Sequence, residues 1–516
     1  MTAIITDQFR IKNAESFVSG IGSTSGSNYY LWIGLPNATE ISGSWDDNPP
    51  APKDSFNDEN DYWDTMLSLK KLNEDDVVRV VRKLQWTSGT FYDYYRHDYT
   101  RSNLAKVTSA TNLYDSNFYV VNSDYRVYIC LQNGTDPENP LGKPSLDEPT
   151  FTDLEPRSAG TSGDGYIWKY LYTIKPTEII KFDSTNYIPV PNGWFNKSEY
   201  AAVRNNAESS GQIKIITISN RGVGYGTAAT YNNVPIKGDG NGATCSVVVN
   251  STGTIGAVEV TNGGSNYTFA TVDLVSSGII NDGSTTASLD VIIPPKGGHG
   301  ADIYRELGAY RVLVYSRLEN DSINPDFITG NQFARVGIVK NPLAYDSTDL
   351  LDLSKASAVY ALKLSGSNVT STTYTADSYV RQTVSTASTA VGRVVSWNAA
   401  SGVLKYWQDR KLASGNTATY GYNLLRFTGS PETGGSAVVV GGSNNLSIDT
   451  NFGSTSNPGI RTTINSKTYY LGQNFVSGVA NPEVKKYSGE IIYVDNRASV
   501  TRSATQKEDI KIVLEF

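Results

Sequence analysis

This 516-residue chain contains little of the chemistry by which enzymes are usually recognised: two cysteines, two histidines and two methionines. Cys130 and Cys245 each lie inside an apolar, strand-like run (VYICL and ATCSVVV). They therefore read as buried free thiols rather than a disulfide, which fits folding in a reducing compartment. His97 and His299 have no second histidine or cysteine within four residues, and no C-x-x-C or H-E-x-x-H spacing occurs. A G-x-S-x-G elbow and a Walker loop are missing as well. No apolar run approaches about eighteen residues, and the start, MTAIITDQFR, lacks a basic segment leading into an apolar one, so neither a spanning helix nor a cleaved signal is expected. Lysine and arginine form no block and the net charge is −7, which argues against nucleic acid as a partner.

What is abundant is turn and strand chemistry. The chain has 46 Gly, 33 Tyr and 8 Trp, with Ser, Thr and Val frequent throughout. β-branched and aromatic residues pack well on a pleated surface, so the expected class is mainly β with few short helices. The length allows roughly two to four domains, each able to bury a core without staples. The stretch GDGYIWKYLYTIKP, Gly163 to Pro176, condenses the pattern: a Gly-flanked turn, a run apolar on both faces, then a proline stop. It predicts an internal strand covered on both sides.

Read in order, FRIKNAESFV and YYLWIGL predict strands around a Gly/Ser hairpin region, and Pro36 to Asp61 predicts a long surface loop. Asn73 with Glu74, Asp75 and Asp76 predicts one helical turn feeding a strand from Val78 to Trp86. Further strands are expected at FYVVN and YRVYICL. Past Pro191 the texture becomes rich in Gly, Asn, Thr and Ser, and a repeat appears. ITISNRGVGYGTAA (from Ile216) matches VEVTNGGSNYTFAT (from Val258) at a shift of 42, superposing Asn220 on Asn262, Gly222 on Gly264 and Tyr225 on Tyr267. Two copies of one β-unit are implied. The first texture returns after KGGHGAD and gives way again near Leu351 to a Ser/Thr/Gly-rich stretch with strand candidates VYALKLSG, SYVRQTV, AVGRVVSW, GVLKYWQ and SAVVVGG, which reads as a small barrel. The expected architecture is a discontinuous β-sandwich core (1–207, 301–350 and 481–516) carrying two inserted small β-domains (208–300 and 351–480). Two strands are expected in the final core segment.

Candidate sites are few, and each has a plain structural explanation. His299 with Asp302 offers two metal ligands, but a Gly-flanked hinge histidine accounts for the pattern more simply. GDGNG at 238–242 lacks the spaced carboxylates of a calcium loop and reads as a turn. FYDYYRHDYT, with Phe91, Tyr92, Tyr94, Tyr95 and Tyr99 around Arg96 and His97, suits a sugar platform, a subunit contact or a half-buried loop, of which the last is favoured. No catalytic, cofactor-binding or metal residue is assigned, and no cofactor is expected.

Six of these pieces, in the same order, carry a family likeness: FRIKNAESFVSGIGS, YWDTM, VYICL, GDGYIWKYLYTI, the KNPL turn after ARVGIV, and the tail SGEIIYVDNR…EDIKIVLEF. Together they resemble the baseplate wedge proteins of T-even-type contractile-tail phages, the family called gene product eight, with two β insertions of a kind seen in cyanophages. The resemblance covers about residues 1 to 207, 301 to 350 and 481 to 516. It implies a non-enzymatic scaffold in the tail baseplate of the virion, made and assembled in the host cytoplasm. There it forms a homodimer, docks other wedge subunits, and contributes to assembly and to transmitting the contraction trigger. Neither nucleic acid nor membrane is among the implied partners. The alternative is an adhesin, with a host glycan bound by the inserted domains.

Overall fold

The structure is a computed structural model that describes residues 6–22, 26–36, 45–209, 213–319, 332–386, 388–408, 425–432, 437–440, 446–454, 459, 461–464, 466–503 and 506–516. Helix α1 (Asp7–Gly22) opens it, followed by β1 (Tyr29–Gly34). The expected strand at FRIKNAESFV is thus helical. Ile11, Ala14 and Ile21 are its buried residues, spaced at helical multiples, and Asp7 sits in the first turn where the helix dipole favours an acid. The expected loop from Pro36 to Asp61 ends early, because Ser55 caps helix α2 (Phe56–Thr65) by accepting from the Asp58 amide, with Asp58 and Glu59 in its first turn. Part of that loop (37–44) lies outside the described residues. Strand β2 (Met66–Lys71) follows directly, and a single 3-10 turn at Glu74–Asp76 feeds β3 (Val77–Arg82), which stops short of the Trp86 end expected for it.

The chain continues through β4 (Tyr119–Val121), β5 (Arg126–Asn133) and β6 (Tyr166–Thr173). Pro176 ends the strand run by starting helix α3 (Pro176–Phe182), a first-turn position that needs no N–H. Next come β7 (Tyr187–Val190), α4 (Ala201–Ser209), and the six strands β8 (Ile216–Asn220), β9 (Ala229–Gly238), β10 (Thr244–Val249), β11 (Ile255–Asn262), β12 (Ala270–Val272) and β13 (Ser288–Val291). After α5 (Ile303–Glu306) run β14 (Arg311–Leu318), β15 (Gln332–Lys340), β16 (Lys355–Ser357), β17 (Tyr360–Ser365), β18 (Tyr379–Ser385), β19 (Ser388–Asn398) and β20 (Val403–Trp407). The last are β21 (Ala437–Val440), β22 (Leu446–Ile448), β23 (Arg461–Ile464), β24 (Lys467–Tyr470), β25 (Val479–Ala480), β26 (Glu490–Thr501) and β27 (Glu508–Glu515). The fold is mainly β, with several antiparallel sheets and few short helices.

The chain divides into two compact units, Met1–Val18 with Val78–Val314 and Ile512–Phe516, and Ser19–Val77 with Tyr315–Lys511. In the first, β4, β5 and β6 form a sheet in that order. β6 is therefore an edge strand, not the internal strand expected. Both its faces are largely buried, with Trp168 at 0% exposure, and its outer edge is partly closed by Arg157, which exchanges two backbone hydrogen bonds with Trp168 (3.0 and 2.9 Å). Aromatic burial on both faces misled the sequence reading, because edge position depends on long-range pairing. The aromatic segment from Phe91 packs on this sheet: the Tyr92 ring meets Tyr166 and Trp168 edge-on at 6.3 and 5.8 Å. Tyr92, Tyr94, Tyr95 and Tyr99 are buried while Phe91, His97 and Thr100 are exposed, so the loop's tyrosines belong to the core. Also in this unit, Arg10 and Arg311 converge on the Glu515 carboxylate, and Phe17 packs on Phe516 at 5.4 Å.

The second unit has a five-stranded sheet ordered β16-β2-β1-β15-β26, over which Tyr30, Trp32, Tyr62, Trp63 and Met66 form an apolar cluster. Every residue of β1 is buried. Arg335, 3% exposed, is neutralised by Asp61 at 2.7 Å and donates to Thr65 Oγ1 at 2.9 Å, as a buried guanidinium requires. A further sheet, β20-β19-β18-β21-β22-β17, closes on itself because β17 pairs back to β20, surrounding a core of Leu362, Leu364, Val380, Val394, Leu404 and Tyr406. Closure removes the edges that such Ser/Thr-rich strands would otherwise expose.

Candidate interaction surface

The groups that the sequence offers as ligands are used internally. His299 Nδ1 lies 2.6 Å from Glu306 Oε1, both side chains are buried, and the Gly300 amide donates to Glu306 Oε2 at 2.7 Å. The Tyr95 ring stands edge-on to the imidazole at 4.7 Å. His299 is thus paired with Glu306, whereas Asp302 caps α5 by accepting from the Tyr304 and Arg305 amides. The seven-residue spacing from His299 to Glu306 gave no recognisable signal. His97 Nδ1 accepts from the Ile293 amide at 3.2 Å, and burial pushes its pKa down. Asp239 in GDGNG spends its carboxylate on the Thr268 and Phe269 amides at 2.8 and 3.2 Å, which makes the segment a turn.

The repeat folds as an exchanged pair. β8 of the first copy pairs with β13 of the second, and β11 of the second pairs with β10 of the first. The Ile213 amide donates to the Gly263 carbonyl, and the Ile255 amide to the Arg221 carbonyl, both at 3.0 Å. In each copy the asparagine side chain accepts from the glycine two residues on, Asn220 from Gly222 at 2.8 Å and Asn262 from Gly264 at 3.0 Å. Each tyrosine hydroxyl then accepts from the amide just before the other copy's last strand, Tyr225 from Ala287 ahead of β13 at 2.8 Å and Tyr267 from Ala243 ahead of β10 at 3.2 Å. Both glycines have positive φ, 62° and 58°, and a Cβ on either would fall within 3 Å of backbone atoms of the opposite copy. That is why the motif is N-x-G-x-x-Y: asparagine holds the turn, glycine permits it, and tyrosine ties the copies together.

Between this unit and the β5–β6 sheet, all within the first compact unit, opens a groove of about 680 Å³. One wall is the outer edge of β11, a terminal strand of its sheet, through Val258, Val260 and Asn262; Lys214, Gln132 and Ile167 line the others. Glu155 at its rim holds Lys214 Nζ at 3.0 Å and Asn206 Nδ2 at 2.7 Å; burial raises this carboxyl, but those hydrogen bonds outweigh it and leave the pKa lowered. An open strand edge beside a groove can take up an extended segment by backbone pairing. Val223, Phe269, Val275 and Ile280, large apolar side chains between 49% and 71% exposed, also lie on the repeat unit, which marks it as a surface suited to protein contact.

No protein-family model matches the chain. A curated relative does: the baseplate wedge protein gp8 of Enterobacteria phage T4 is 27% identical over 215 residues, which are 37% of this chain. The chain is similar to a phage baseplate wedge protein. It spans 60% of that relative's length. The pieces that carry the wedge-protein likeness are structural: they occupy α1, the end of α2, β5, β6, the turn after β15, and β26 with β27. Helix α1 is the one piece among them whose local structure the sequence reading had reversed.

Proposed function

We propose that this chain is a structural subunit of a contractile-tail baseplate wedge, acting in assembly and in passing on the contraction trigger, and that it works as a homodimer docked to other wedge subunits in the virion. The observation that carries this is the similarity to a baseplate wedge protein. The structure supports it in kind: His97, His299, Glu306, Tyr225 and Tyr267 are spent on internal hydrogen bonds, and apolar side chains are exposed on a β-scaffold. The five segments 1–207, 208–300, 301–350, 351–480 and 481–516 are proposed as a discontinuous core with two grafted modules, a reading that the separate apolar clusters at 213–293 and 360–448 support.

Reconstitution with purified wedge proteins tests the proposal. A dimer in sedimentation and a wedge intermediate that fails to form when this chain is omitted are expected; a monomer that joins no intermediate refutes it. The second reading, a host-glycan role for the inserted segments, is favoured by a pocket to which 351–480 contributes Tyr360 and Arg426, with Tyr345, Lys485, Lys486 and Tyr487 from the flanking core segments. Removing 211–297 or the 351–480 module from phage separates the two: lost assembly supports the scaffold, whereas intact particles that fail to adsorb support glycan binding.

A further inference from the structure

The second unit holds a pocket of about 250 Å³. Its floor is Tyr360, buried and stacked on Tyr406 at 5.4 Å. The Arg426 guanidinium lies 4.0 Å from the Tyr360 ring centre, and Lys486 Nζ 5.7 Å from it. Lys485 joins them in the lining, which thus has three cations against the single carboxylate of Asp346. Two tyrosines stand at the rim, Tyr345 at 40% and Tyr487 at 41% exposure. The Tyr487 ring is held in place: its hydroxyl donates to the Asp64 carboxylate and its centre lies 6.5 Å from that of Trp63, the planes tilted by 60°.

The backbone carries a second sign. Asp346 and Tyr487 have φ of 52° and 62°, a left-handed conformation that a bulky tyrosine rarely adopts. Strain of this kind persists where surrounding contacts enforce it, and it concentrates at binding sites. Tyr487, the one of the two whose side chain makes this conformation costly, lines the pocket.

We propose that this pocket binds a single carboxylate-bearing sugar, such as the terminal uronic acid of an acidic glycan. The cations supply charge-assisted hydrogen bonds to the carboxylate. The exposed tyrosine rings offer apolar faces to the C–H side of a pyranose, which a bare anion would not need. The volume lies below that of pockets for drug-sized ligands and suits one sugar ring. This names the ligand chemistry of the glycan reading above and rests on that reading only for the ligand's source: binding by the pure protein and host adsorption by phage fail independently.

The test is ligand-observed NMR and calorimetry on the full-length protein with glucuronic acid, glucose, inorganic phosphate and a glutamate-rich peptide. Glucuronic acid is expected to bind at least about tenfold more tightly than glucose, with an affinity that falls as salt rises. Arg426→Ala should weaken it about tenfold, and Tyr345→Ala should weaken it without changing the salt dependence. Because Lys485 is exposed, Lys485→Ala provides a variant expected to fold if Arg426→Ala does not, and it should also reduce affinity. Equal binding of glucose and glucuronic acid, binding of phosphate or the peptide alone, or wild-type affinity in folded Arg426→Ala and Lys485→Ala proteins would overturn the proposal.

Discussion

Tyr225 and Tyr267 show how much structure a single hydroxyl can organise. Each satisfies an amide in the opposite repeat copy, so Tyr225→Phe and Tyr267→Phe should each cost about 1 kcal/mol in urea denaturation, with losses that add. Gly222→Ala and Gly264→Ala should cost more, since both face backbone within 3 Å and sit at positive φ. Lys169 gives a pH signature. It is 1% exposed, its ammonium bonded to the Leu154 carbonyl and Asn206, and burial lowers its pKa from 10.5 to about 8. The unfolded chain then binds this proton more tightly than the native one, so the penalty is fully present below about pH 8 and is relieved as pH rises toward 10.5. The difference in unfolding free energy between wild type and Lys169→Met should therefore change by on the order of 3 kcal/mol across that window, and pH-dependent denaturation curves measure it.

At the scale of elements, β6 was readable as a strand from its residues but not as an edge. Propensity and burial are local properties, whereas the order β4-β5-β6 is set by which strands meet. The Arg157 bridge is what protects that edge. Arg157→Pro removes the amide that bonds the Trp168 carbonyl, and it should lower stability by about 1–2 kcal/mol and increase light scattering on warming. Helix α1 was misread because Phe, Ile and Val in FRIKNAESFV suggested a strand, while the deciding feature was the spacing of Ile11, Ala14 and Ile21. The 3-10 turn before β3 was legible because Asn73 and three acids form a local signal that needs no distant partner.

For the whole molecule, helix α1 meets the chain's last residues within the first unit. Arg10 bonds Glu515 and the Phe516 carbonyl, and Phe17 packs on Phe516. Removing residues 512–516 should thus cost several kcal/mol, far beyond what an unattached tail would, and limited proteolysis should show the first unit opening. The sequence by itself determined the β class, the buried thiols, the 42-residue repeat and the family likeness, because each depends on composition or on local and ordered patterns. Tertiary structure alone decided that His299 pairs with Glu306, that the repeat copies exchange strands, that β17 closes a barrel onto β20, and that Tyr345, Tyr360, Arg426 and Tyr487 line one pocket. Those residues lie from seven to more than a hundred positions apart, and only the free energy of the complete fold determines which of them meet.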